Sequence, residues 1–173
     1  MASDLNLILN LPFDEAAGSA VAYDYSQNRY DAALSGGASF VGGKQGNCIH
    51  FDGTGKAEIE QNILNLSGSF TILAWVKANK YPDECSGKRI GIFCNTALLD
   101  GARDLWVDVE ADSWGFFVIR KAGNNVSVSL DTQPIGEFTL PSTCTGVAIL
   151  QDLYGTGTAF ADLDEVKIYN ADL

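Results

Sequence analysis

The stretch Phe70-Thr71-Ile72-Leu73-Ala74-Trp75-Val76-Lys77 decides the fold. Its apolar residues fall on both alternating faces, the pattern of a strand buried on most of both sides. Further along, Leu105-Trp106-Val107-Asp108-Val109-Glu110-Ala111 alternates cleanly and sends Val107, Val109 and Ala111 inward. Val126-Ser127-Val128-Ser129-Leu130 does the same with its serines outward. Residues 114–121 read as another strand, and Ala122-Gly123-Asn124-Asn125 turns it into the next, a hairpin. The same alternation predicts strands at 6–13, 48–51, 57–61, 90–94, 136–140, 147–150 and 164–169. Glycine clusters at 35–38, 42–46 and 155–157 separate them. No window carries a sustained 3.6-residue apolar stripe, and no linker, repeat or low-complexity tract interrupts the chain. The pattern predicts one all-β domain over residues 1–173, a two-sheet antiparallel β-sandwich. Its expected core is Phe13, Phe51, Phe70, Ile72, Trp75, Phe93, Val107, Phe117, Val128 and Ile168.

Composition narrows the function. With 46% hydrophobic residues in 173, the chain can bury a full core, so disorder is excluded. A formal charge of −11 leaves no basic stripe for phosphates, which argues against nucleic acid as a partner. No segment approaches the run of about 18 apolar residues that spans a membrane. The apolar start LNLILNLPF is broken by asparagines, follows Asp4 and lacks a basic flank, so it does not read as a signal peptide. Cys48, Cys85, Cys94 and Cys144 form no C-x-x-C pair, which argues against zinc knuckles and thioredoxin-type chemistry. Spacing leaves open whether Cys85 and Cys94 are bridged.

Five blocks carry a family resemblance: LPFDEAAGSAVAYDYSQNRYDAAL, GGKQGNCIHFDGTGKAEIE, LNLSGSFTILAWVKA, SWGFFVIRKAGNNVSVSLDTQPIG and FADLDEVKIYNADL. In this order they resemble bacterial and phage laminin-G-like domains of the concanavalin A-like lectin/glucanase superfamily. SGSFTILAWVK and DLDEVKIYN are the most specific. The resemblance implies a jelly roll whose first and last strands pair, in a mostly non-catalytic family of carbohydrate-binding, adhesion and surface modules. The chain departs from that family at Gly115, where histidine is frequent, and at Ser26-Gln27-Asn28-Arg29, in place of Ser-Gly-Asn-Gly.

Four constellations are candidates for chemistry. Asp24, Ser26 and Asn28 place oxygen-bearing side chains at alternate positions, with Asp31 close behind, and this makes calcium a candidate. The glycine such a loop expects next is Arg29, and Asx and Ser turns explain the same residues without metal. The resemblance points to the same loop, where some relatives carry structural calcium, and the pairing of terminal strands adds Asp164 as a fourth ligand. Asp108, Glu110 and Asp112 share one strand face, but they do not reproduce the Glu-x-Asp-x-x-Glu of superfamily glucanases. The alternation points all three to solvent, where no carboxyl gains the raised pKa of a general acid, so a glycoside hydrolase built on them is not the favoured reading.

His50 is the sole histidine, with Cys48 on its strand face, but no oxyanion-hole motif or nucleophile elbow accompanies them. It reads as a packed or hydrogen-bonded histidine. Trp106, beside Asp108 and Glu110, suits sugar stacking with flanking hydroxyl partners. Tyr23, Tyr25, Tyr30 and Tyr154 fall in expected loops, where binding residues concentrate. Trp75 and Trp114 look like core or sheet-packing residues. The expectation is a non-catalytic module, a phage virion surface protein (capsid decoration or tail fibre) assembled in the host cytoplasm. It contacts other virion proteins or its own copies, with host glycans as candidate ligands; a carbohydrate-binding or adhesion module of a bacterial surface protein is the alternative.

Overall fold

The computed structural model describes residues 5–60, 63, 68–78, 89–94, 105–108, 112–139, 147–151 and 160–173. Among them are fourteen strands and no helix: β1 (Leu7–Leu11), β2 (Val21–Ala22), β3 (Ala32–Ser35), β4 (Ser39–Gly42), β5 (Asn47–Asp52), β6 (Lys56–Glu58), β7 (Phe70–Ala78), β8 (Arg89–Cys94), β9 (Leu105–Asp108), β10 (Trp114–Ala122), β11 (Asn125–Leu130), β12 (Gln133–Thr139), β13 (Val147–Gln151) and β14 (Phe160–Tyr169). Eight form one antiparallel sheet in the order β12-β11-β10-β7-β14-β5-β4, with β1 joined to β14. Three-stranded sheets β2-β3-β6 and β13-β8-β9 complete the described architecture, a β-sandwich.

Strand parity explains the core. Phe70, Ile72, Ala74 and Val76 of β7 point to the same side as Phe117 and Ile119 of β10, Val126 and Val128 of β11, and Ile49 and Phe51 of β5. Leu9 and Leu11 of β1, Phe13 and Phe40 join them. Ala161, Leu163, Val166 and Ile168 of β14 and Ala22 and Ala32 of the β2-β3-β6 sheet complete this cluster, with Leu34, Ala57, Ile59 and Ile63 packed on it. Trp75 does not belong to it. Following Ala74, it takes the opposite face with Thr71, Leu73 and Lys77, where it stays partly exposed. The side chains of Phe93 and Val107 lie outside the described residues.

The large sheet turns on β14. One edge pairs with β7 along nearly its whole length. The other is shared: Phe160–Leu163 pair with β5, and Val166–Tyr169 with β1. The exchange falls at an irregularity between Asp164 and Lys167, where Glu165 has a left-handed φ of 52°. An extra residue there lets one strand serve two successive neighbours. The first and last strands therefore pair, as the resemblance implied.

The hairpin expected at 122–125 is present, with Ala122 opposite Asn125 and Gly123 at φ 59° opening a two-residue turn. Three short strands, β2, β3 and β4, were not anticipated. β12 starts earlier than expected and includes Pro134, which its edge position tolerates because an edge strand has one side without a ladder. Phe70 is among the most deeply buried side chains, so Phe70→Ala should cost about 3–5 kcal/mol in urea unfolding. A loss below about 1 kcal/mol would show a core that readjusts around the missing ring.

Candidate functional site

β1 pairs with β14 along one edge, and the Tyr23–Asp31 loop satisfies the other. Tyr25 N donates to Asn10 O (2.8 Å) and Asn28 Nδ2 to Ile8 O (3.0 Å), with Ser26 Oγ 3.2 Å from the same Ile8 oxygen. Asn10 N returns a bond to Asp24 Oδ1 at 2.8 Å. The loop thus adds a pseudo-strand to β1.

Asp24 organises this loop and is fully buried. Its Oδ1 accepts Asn10 N and Ser26 N, both at 2.8 Å. Its Oδ2 accepts Ser26 Oγ at 2.6 Å and Tyr30 N at 2.8 Å. Its own N donates to Asp31 Oδ1 (2.8 Å), and Arg29 Nη1 donates to its carbonyl (3.2 Å). Burial opposes the charge, but the bonds from the Ser26 side chain and from the Ser26, Asn10 and Tyr30 amides outweigh it, so the carboxyl titrates below its usual value. Arg29, where a glycine was expected, adopts the left-handed φ of 57° that a glycine would supply.

Because Asp24 points inward in extended chain, Tyr23 and Tyr25 on either side point outward. They are 49% and 58% exposed. Tyr23 N is held in turn by Glu15 Oε1 at 2.8 Å. Tyr30 behaves differently: it is half-buried and packs against the core.

Asp164 does not join the loop. It is fully buried on β14, where its Oδ2 accepts Lys44 N (2.8 Å) and Gln45 N (2.9 Å) from the β4–β5 turn. It shares no hydrogen-bond partner with Asp24, and its Oδ1 has none at all. Burial raises its pKa, against the pull of the Gln45 and Lys44 amides.

The outer face of the large sheet carries a second polar cluster that sequence reasoning missed. Asp162 lies 2.6 Å from His50 Nδ1 and 2.5 Å from Lys77 Nζ. Parity on β14 with Asp164 was the available signal. The Lys77 ammonium sits 5.2 Å above the Trp114 ring, and that of Lys44 sits 4.7 Å above Trp75. Trp75 also meets Phe116 at 5.1 Å. An ammonium group therefore lies over one face of each indole. His50 is hydrogen-bonded, as expected. Beside it, burial and then the Asp162 and Asp164 charges push the Cys48 thiol up to about 12, so almost no thiolate exists at neutral pH.

Asp112 sits exposed in a turn at φ 59°. The side chains of Trp106 and Asp108 lie outside the described residues, as do Glu110, Tyr154 and the Cys85–Cys94 pair.

No protein family and no curated protein matches the chain. Solved structures do. Domain 4 of AbnA, a GH43 extracellular arabinanase from Geobacillus stearothermophilus in complex with arabinotriose, aligns with TM-score 0.70 and 16% identity over 97% of this chain and 94% of that one. This chain shares its fold. Trypanosoma rangeli sialidase aligns with TM-score 0.67 and 19% identity over 97% of this chain, and the botulinum neurotoxin serotype D binding domain with 0.59 and 11% over 97%. The chain spans 31% of that sialidase and 48% of that toxin domain. The shared β-sandwich is what these likenesses show; the laminin-G assignment draws nothing from them.

Asp24 and Asp164 should respond to pH with opposite signs. The lowered pKa of Asp24 gives stability that is present above its unfolded value of about 3.9 and lost as pH falls through the folded value. Asp24→Asn should therefore destabilise at pH 7 by about 3 kcal/mol, because two donors lose their acceptor, and the gap should shrink below about pH 4. Asp164, with its raised pKa, favours the fold only when protonated, a contribution lost as pH rises through the folded value. Asp164→Asn should melt no lower than the parent chain at pH 7. Thermal melts across pH check both signs.

Proposed function

We propose that the chain is a non-catalytic glycan-binding module. The observation that carries this reading is the pair Tyr23 and Tyr25, exposed on either side of a buried carboxylate that fixes their backbone. Two large rings on a rigid loop lose little conformational freedom when a ligand docks, which favours binding by stacking. The fold shared along nearly its full length with an arabinanase domain in complex with arabinotriose supports the same reading. The thiol of Cys48, kept protonated at neutral pH, is a poor nucleophile, which favours binding over turnover.

A virion surface role is the finer reading, and the arabinanase, sialidase and toxin likenesses lend it no support. The exposed tyrosines favour it only in that tyrosine is enriched at protein interfaces. In that case Tyr23 and Tyr25 contact another subunit of a particle rather than a sugar.

Affinity electrophoresis against arabinan and other polysaccharides, with native mass in parallel, tests both. The chain should be retarded, Tyr23→Ala and Tyr25→Ala should each weaken binding about fivefold, and stability should change by less than about 0.5 kcal/mol. Retention that survives the double substitution contradicts the sugar platform. Loss of oligomer or particle binding instead assigns the tyrosines to assembly, and release of sugars by the parent chain contradicts a non-catalytic role.

A further inference from the structure

The resemblance implies calcium at the Asp24 loop, and the atoms gathered there do not suit it. Calcium takes six to eight oxygen ligands that offer lone pairs. A carboxylate has about four lone-pair sites, and Asp24 uses them on the Asn10, Ser26 and Tyr30 amides and the Ser26 hydroxyl. Those groups turn hydrogens, not lone pairs, toward the carboxylate. Ser26 Oγ also accepts Asn28 N at 3.2 Å, and Asn28 presents its amide nitrogen to Ile8 O. Of the other candidate ligands, Asp31 accepts Asp24 N through its Oδ1, and Asp164 is bonded to the turn between β4 and β5.

We propose that the Asp24 carboxylate replaces a calcium ion as the organising centre of this loop, so that the Tyr23 and Tyr25 platform is held independently of metal. An anion surrounded by converging donors does here what a cation surrounded by converging oxygens does elsewhere: it fixes the chain from Tyr23 to Tyr30 against β1. Asp24 is thus a positioning residue for the binding surface. That part of the inference rests on the glycan reading; the metal independence does not.

Melting curves of the full chain in chelator and in millimolar calcium form the first arm. The two should coincide within about 1 °C, whereas an ion held a hundredfold above its Kd would raise the melting temperature by about 5 °C or more. A rise of that size, absent in Asp24→Asn, overturns the proposal. An equal rise in both places the ion elsewhere and leaves the clamp standing. The second arm is polysaccharide retention, which should be the same in chelator and in calcium. Ser26→Ala, a milder change that removes only one donor from Asp24, should weaken retention by lowering loop order, and calcium should not rescue it. Rescue by calcium contradicts the clamp. Calcium-indifferent melts with no retention by any polysaccharide leave the clamp intact and sink the glycan reading alone.

Discussion

Four hydrogen bonds converging on one buried carboxylate hold the rim of this molecule in place. Without Asp24, the chain between β2 and β3 would keep only the bonds of Tyr25 and Asn28 to β1 and lose the anchor that Asn10, Ser26 and Tyr30 share. The carboxylate is stable because its donors outweigh its desolvation. Its inward direction then dictates, through simple extended-chain alternation, that Tyr23 and Tyr25 face outward. The proposed binding surface is a consequence of a charge satisfied beneath it.

The second organising feature is the division of one edge of β14 between β5 and β1. This joins the N-terminal strand to the centre of the sheet and places Asp162 and Asp164 on the face opposite the core. The two carboxylates are handled differently. Asp162 gains His50 and Lys77 from strands on either side, while Asp164 receives only backbone amides and keeps an oxygen without a partner. That contrast explains why one buried acid belongs to an ion network and its neighbour is pushed toward protonation.

Much of the fold was legible because period-two alternation is a local signal. The apolar stretch at 70–77, the serine-out pattern at 126–130 and the Gly-Asn turn each declare themselves without tertiary help. β2, β3 and β4 do not, being short segments whose strand geometry comes from neighbours distant in sequence. β14 begins before its expected start because Asp162 reads as polar chain until His50 and Lys77 are brought beside it. Trp75, expected in the core as an apolar member of its strand, follows Ala74 and takes the opposite face. At the site, the outward tyrosines were readable from loop composition. The role of Asp24 was not, since spacing shows that oxygens alternate but cannot show whether hydrogens or a cation fill the space between them. Arg29 at a left-handed φ shows the same limit: the backbone keeps the turn although the residue that usually marks it is absent.

Carboxyl-carbon NMR of Asp24, followed through acid pH with the amide protons of Asn10, Ser26 and Tyr30, tests the account most directly. The predicted result is a carboxyl that titrates below its ordinary value, with all three amide protons shifting at the same midpoint, and spectra at neutral pH unchanged by calcium. A carboxyl titrating at or above its ordinary value, amides indifferent to it, or all four signals moving when calcium is added at neutral pH would contradict it.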